Sequence, residues 1–387
     1  MLKSSPIRAR SKQRYLFIDL LRFVAGFFMI QGHVFDALLS PQVKSASWYY
    51  AHDFFHGFIA PMFLFASGVA FGVATIRSWD QHIIWGERVR WRIWKFLALI
   101  AIGYALHLPY FSLRKTLSAA TFMETKTMVQ VDALQCIGVT LLMLQGAVFL
   151  LRKKDLFVRL AALCGAAVIF VSPIVWFLHF GDKAPLWMAA YLNAENGSWF
   201  PLFPWSAYIL CGVVFGYCFL KAGSRRDEVA MVLKFAAASA GVAVLALLAL
   251  RLPFDFYPPH DYWKSDPSMI LVRLSVVSIV AAGIFLSERY IRSASRIPSI
   301  MGKESLFVYI AHLLIVYGSV MGPGLSSYIG PMLSLFQALE VTFLVFVAVM
   351  FLSVLWHSLN SNYRVVASTL KVAGAAAFLL AFIFRPW

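Results

Sequence analysis

Four ionisable side chains fall inside the first long apolar run of this chain: Asp19, Arg22, His33 and Asp36. Such groups are costly in an apolar segment and are kept where they face a cavity or a partner. At 3.6 residues per turn, Arg22 and His33 lie within about 20° of one helix face, separated by a rise of about 16 Å. Asp19 and Asp36 stand three residues outside them and border the same face. One stripe therefore offers an anion-binding guanidinium low down, a base higher up and a carboxylate to orient that base. The plainer reading is an Asp19–Arg22 ion pair with His33 as a hydrogen-bonded packing residue.

Later runs carry further polar groups. His56 comes shortly before Pro61 and the Ser67-Gly68 pair, Asp132 and Gln135 open another run, and Arg273 lies about one turn into a later one. Ser305, Tyr309 and His312 recur at i, i+4 and i+7, one face of a helix. Gly302-Lys303-Glu304 is expected to begin that helix, where free backbone N–H groups and Lys303 would suit a phosphate. Glu340, expected near the middle of its run, needs a cation or a proton.

The elements that must position these groups are membrane spans. Of 387 residues, 61% are hydrophobic and 13% charged, and the mean hydropathy is +0.75. Soluble domains are about half apolar and a quarter charged, so a soluble enzyme and a nucleic-acid-binding module are excluded. Runs of about 20 apolar residues can cross a bilayer. Eleven are expected, at 15–37, 54–75, 93–110, 131–151, 157–178, 203–221, 230–250, 268–288, 304–322, 333–355 and 367–384. The fold class is thus all-α, a polytopic membrane protein of about eleven helices. It is read as a single membrane domain over 1–387 with a short basic tail, 1–14. The first run contains Asp19 and Arg22 and no small-residue cleavage site follows it, so it reads as a span and not a signal peptide. No internal repeat of the kind found in many transporters is visible.

The net charge of +16 has a topological explanation. The amino-terminal tail and the second, fourth, sixth, eighth and tenth connections hold 24 Lys and Arg, against 8 on the other side. Basic residues collect in cytoplasmic loops, which predicts an inside amino terminus and an outside carboxyl terminus. The outer connections are rich in aromatic and polar residues, among them Trp48, Tyr49, His52, Trp187, Trp199, Asp255, His260 and Trp263. These read either as an interfacial aromatic belt or as a rim that binds a sugar or polyol. Asn196-Gly197-Ser198 is a glycosylation sequon, meaningful only in a eukaryotic secretory compartment. Cys136, Cys164, Cys211 and Cys218 lie in apolar runs without metal-ligand spacing, so no metal is expected.

The spacing from Arg22 to Gly32-His33-Val34-Phe35-Asp36 resembles the opening of transmembrane acyltransferases. Pro61-Met62-Phe63-Leu64-Phe65-Ala66-Ser67-Gly68 resembles the second-span signature of bacterial proteins similar to heparan-alpha-glucosaminide N-acetyltransferase. Val131 to Gly138, Phe203-Pro204-Trp205-Ser206, and Gly302 to Leu306 with Tyr309 and His312 follow in the same order. The resemblance covers about residues 15–320.

It implies an acyl-CoA, usually acetyl-CoA, entering from the cytoplasm, and transfer of its acyl group to a hydroxyl or amine outside. His33 would be the base or a transient acyl carrier, with Asp36 orienting it. Arg22, with Lys303, Ser305, Tyr309 and His312, would hold the donor. Asp132, Gln135, Arg273 and Glu340 would face the acceptor, expected to be a glycan. The heparan enzymes place their histidine in the loop after the first span, so His56 is an alternative to His33. The implied partners are the lipid bilayer, acyl-CoA and the acceptor, with no nucleic acid, and the implied location is a bacterial inner membrane. The competing reading is a proton-coupled carrier of a small polar or anionic solute, with the buried His, Asp, Glu and Arg as a relay. An envelope-assembly partner without activity is a third.

Overall fold

A computed structural model describes residues 14–181, 183–251, 256–292 and 294–385. Lys3, Arg8, Arg10 and Lys12 of the basic tail, and Asp255, lie outside them. Of the described residues, 79% are helical. Among them, nine helices are long and apolar enough to cross a membrane, or ten if one bent pair counts as a span. The chain divides into two compact units: residues up to Ile18 with 60–105 and 129–288, and residues 19–59 with 106–128 and 289–387.

In the first unit, two helices meet through glycines. Ile59–Arg77 carries Gly68 and Gly72, and Leu202–Lys221 carries Gly212 and Gly216, each pair one turn apart. A Cβ on Gly68 would lie 2.0 Å from the Ile209 carbonyl oxygen, and one on Gly212 would lie 2.3 Å from that of Phe65. Lipid offers no hydrophobic drive for helices to associate, so close backbone approach at small residues supplies the attraction instead. Beside this crossing, Phe17 packs against Phe219 and Phe285, with ring centroids 5.3 and 5.4 Å away. Lys154–Phe177, Ala133–Leu151, Arg225–Ala249 and Pro267–Ile291 are further long helices of this unit.

The expected span 93–110 falls on helix Glu87–Leu106, which is not among the nine. Glu87, Arg88, Arg90, Arg92 and Lys95 occupy its amino-terminal half, so its uninterrupted apolar stretch is shorter than those of the nine.

The second unit is built on helix Leu16–Leu38 from Asp19 onward. Ile30, Val34 and Leu38 pack with Val308, Val316, Val345 and Val349. Leu39 makes a parallel bridge with Leu333, and the Leu333 N–H donates to the Leu38 carbonyl at 2.8 Å. The expected span 304–322 is broken and short: helices Arg296–Lys303 and Ser305–Val316 meet at 81°. Val316 is then followed by a two-stranded hairpin, Gly318–Ser319 with Gly322–Pro323. Leu335–Asn362 and Arg364–Phe384 follow.

Candidate functional site

Within the second unit, helices Leu16–Leu38 and Ser305–Val316 run side by side in the same direction. A Cβ on Gly302 would lie 1.9 Å from the Asp19 carbonyl oxygen, and one on Gly26 would lie 3.6 Å from Val308. Further along, the rings of His33 and His312 are 5.2 Å apart. Interpolating along this contact sets Arg22 level with the first turn after Ser305. Arg22 is half-buried. Lys303 is exposed and closes the short helix Arg296–Lys303, so the expectation that it begins the following helix is corrected. The chain bends at Glu304, whose carboxylate meets His357 Nδ1 at 2.8 Å.

At the upper end, His33 Nδ1 is 3.1 Å from the Tyr317 hydroxyl, which in turn is 3.2 Å from Asp36 Oδ2. A carboxylate only accepts, so the phenol donates to Asp36 and its oxygen accepts from His33 Nδ1–H. His33 Nε2 is left with the lone pair. Lys44 Nζ lies 3.7 Å from Asp36 Oδ1. Asp36 was expected to orient His33 directly; the structure instead sets Tyr317 between them. His312 is fully buried, and its Nδ1–H donates to the Val308 carbonyl at 2.7 Å. Tyr309 stands edge-on to it at 5.7 Å.

The opposite side of helix Leu16–Leu38 meets helix Ser47–His56. His52 Nε2 shares a hydrogen bond with the Gln31 amide, and its ring stacks with those of Tyr49 and His56 at 5.5 and 5.8 Å. The Nε2 edge of His56 is set against Gly32, where a Cβ would be 1.7 Å from that nitrogen. The two candidate histidines thus occupy different faces: His33 is tied to a phenol and a carboxylate, and His56 is packed on backbone.

The other candidates have local structural partners. Asp132 and Gln135 form a capping box at the start of Ala133–Leu151, and Gln135 also donates to the Gln130 carbonyl at 3.3 Å. Arg273 is buried and donates to the Trp263 carbonyl. Glu340 lies in the second turn of Leu335–Asn362 and is exposed. The sequon residue Asn196 is 7% exposed, which leaves no room for a glycan. Among the described residues, no cluster of His, Cys, Asp and Glu could hold a metal.

Tyr317, Lys44 and Gln31 were not identified from sequence. Tyr317 is off the 305–309–312 face by helical arithmetic; it caps helix Ser305–Val316, its N–H donating to the Leu313 carbonyl at 2.8 Å. Lys44 depends on the short turn Pro41–Lys44, capped by Ser40.

Helices of this number and hydropathy define an integral membrane protein, and this one sets a histidine against a phenol and a carboxylate at the end of a helix. The model of the heparan-alpha-glucosaminide N-acetyltransferase catalytic domain matches residues 14–250. The chain belongs to that family of transmembrane acetyltransferases. No individual curated protein matches it.

Proposed function

We propose that this protein transfers an acetyl group from cytoplasmic acetyl-CoA to a hydroxyl or amine on an extracytoplasmic acceptor, a glycan, and that His33 is the general base. The observation that carries the reading is the chain of contacts from Asp36 through Tyr317 to His33 Nδ1. It leaves Nε2 to take the acceptor proton while the acceptor oxygen or nitrogen attacks the thioester carbonyl. As the tetrahedral intermediate collapses, the carbon–sulfur bond breaks and His33 returns the proton to the departing thiolate. The imidazolium formed in between donates to the Tyr317 oxygen, itself held by Asp36. A neutral imidazole suits this role near neutral pH.

Arg22, about 16 Å along the same helix, binds the phosphates or pantetheine of the donor, with Ser305 and Lys303 nearby in sequence at the bend. His312 and Tyr309 line the path between the two ends. Asp132, Gln135, Arg273 and Glu340 remain proposals for contact with the acceptor. The membrane reading is eleven spans with the amino terminus in the cytoplasm, supported by the 24-to-8 basic asymmetry. It treats 1–387 as one membrane domain in a bacterial inner membrane.

The test uses purified protein in nanodiscs, acetyl-CoA and an extract of envelope glycans, with release of free thiol as the readout. His33→Gln keeps a hydrogen-bonding side chain but cannot take the proton, and should lose about 10²- to 10⁴-fold. His56→Gln should keep most of the transfer rate. The opposite ranking would make His56 the base.

A further inference from the structure

A second polar cluster lies in the first unit, where helix Ile59–Arg77 ends and the chain turns through Trp79–Gln81 to His82 before helix Glu87–Leu106. Gln145, 1% exposed, donates from Nε2 to the His82 carbonyl at 3.0 Å, and its Oε1 accepts from Arg92 at 3.3 Å. The Arg92 guanidinium lies over the Phe71 ring, 4.5 Å from its centroid. Arg88 donates to Gln81 Oε1. Trp79 ties this turn to the next basic connection by donating to the Arg152 carbonyl at 3.4 Å.

Three features of the cluster are incomplete as they stand. His82 is 6% exposed, and its Nδ1 is buried with no hydrogen-bond partner among the described residues. Arg92 is half-buried and its polar partner is a neutral amide. Neither Arg92 nor Arg88 has a carboxylate within ion-pair distance among the described residues. A buried donor left unpaired costs about 1–3 kcal/mol, and a cation removed from water without a counter-charge costs more. One anion offering several acceptor oxygens would satisfy all three groups. Three oxygens on a tetrahedral centre fit two guanidinium groups and an imidazole N–H. Burial, then Arg92 and Arg88, push the imidazole down to about 4. An anion bound among these residues would face a neutral imidazole donor and two fixed positive charges.

We propose that His82, Arg88 and Arg92 form a binding site for a phosphate group, separate from the residues assigned to transfer. Exposed Trp85, Trp91 and Trp94 flank it on the same segment, as interfacial aromatics do at headgroup depth. The phosphate belongs either to an anionic phospholipid headgroup or to a soluble phosphate ester, and the experiment separates the two.

Delipidated protein in a neutral detergent is titrated with phosphatidylglycerol, phosphatidylcholine, inorganic phosphate and CoA. Binding is read by native mass spectrometry and by the ¹⁵N resonances of His82 in histidine-labelled protein. Phosphate-bearing probes should shift the His82 signals. Arg92→Gln should weaken binding about 10- to 100-fold, the loss of a charge-assisted contact. Arg88→Gln, at an exposed position that folding does not need, should weaken it by a smaller factor, and Arg90→Gln should not. Response to phosphatidylglycerol alone assigns a lipid site; response to CoA or inorganic phosphate assigns a soluble ester. If no probe moves His82, or if Arg88→Gln and Arg92→Gln bind as the wild type does, the proposal is wrong.

Discussion

Tyr317→Phe removes one oxygen and leaves the ring in place. His33 Nδ1 then loses its partner at 3.1 Å and Asp36 loses its donor at 3.2 Å. Before reaction the lost bond is between neutral groups, a contribution of about 0.5–1.5 kcal/mol. In the transition state the imidazole carries the acceptor's proton and the same bond becomes charge-assisted, worth about 1.5–3 kcal/mol. Only the difference, about 1–1.5 kcal/mol, lowers the rate of the chemical step, so at about 1.36 kcal/mol per factor of ten the transfer rate should fall about 5- to 13-fold. Binding of acetyl-CoA should be unaffected, because the phenol acts through His33. Asp36→Asn should cost less. The Asp36 side chain is 70% exposed, so water screens its charge and about 1 kcal/mol is the ceiling. The double variant should be little worse than Tyr317→Phe alone, since Asp36 reaches the base only through that hydroxyl. Single-turnover thiol release at saturating acetyl-CoA measures all three. A Tyr317→Phe rate within twofold of wild type, with His33→Gln inactive, would refute the relay while leaving the base assignment intact.

Arg22→Ala should weaken CoA binding about 10- to 150-fold by calorimetry, and His33→Ala should leave it nearly unchanged. Gly68→Ala should destabilise the protein by about 1–3 kcal/mol in thermal melts, because the new methyl meets the Ile209 backbone oxygen, which cannot yield. Gly146→Ala, with open space around it, should gain about 0.5–1 kcal/mol. Folding lowers the His82 pKa from 6.5 to about 4, so the unfolded chain binds the proton first. Up to about 3 kcal/mol of stability should be present above pH 6.5 and lost as the pH falls toward 4. His82→Asn should flatten that slope in melts between pH 7.5 and 4.5. In a background without native cysteines, Trp199→Cys should be labelled from outside intact cells, and Arg226→Cys only after the membrane is opened.

The long helices were legible because hydropathy fixes them directly: helix Leu16–Leu38 begins and ends within one residue of its expected bounds. Helix Glu87–Leu106 was less legible because its charged half hides where the apolar run begins. The bend at Glu304 gave no signal, since neither proline nor a glycine pair stands there. The Arg22–His33 stripe was readable from period alone. Its partner Tyr317 was not, because the contact joins two helices far apart in sequence, and period within one helix does not pair it with another. Asp132 and Gln135 looked like site residues because buried polar side chains attract that reading, yet the same spacing makes a capping box. The family match ends at residue 250, so Tyr317 and His312 lie beyond the part of the chain that it describes.

Helix Ser305–Val316 has 12 residues, a length of about 18 Å, while bilayer hydrocarbon is about 30 Å thick. Beyond Val316 the backbone is a hairpin and then the single turn Leu325–Ile329. Lipid cannot satisfy the N–H and C=O groups of such a segment, which is tolerated only against protein or a water-filled cavity. With Asp36 exposed and Tyr317 38% exposed, water reaches the end of the helix where His33 sits. A base able to deprotonate an acceptor hydroxyl can also deprotonate water. With His33 as the proposed base, the thioester would be partitioned between productive transfer and futile hydrolysis, in a ratio set by how completely a bound acceptor displaces water from His33 Nε2. Acetyl-CoA consumption without acceptor should be slow but measurable, and it should fall as the acceptor concentration rises.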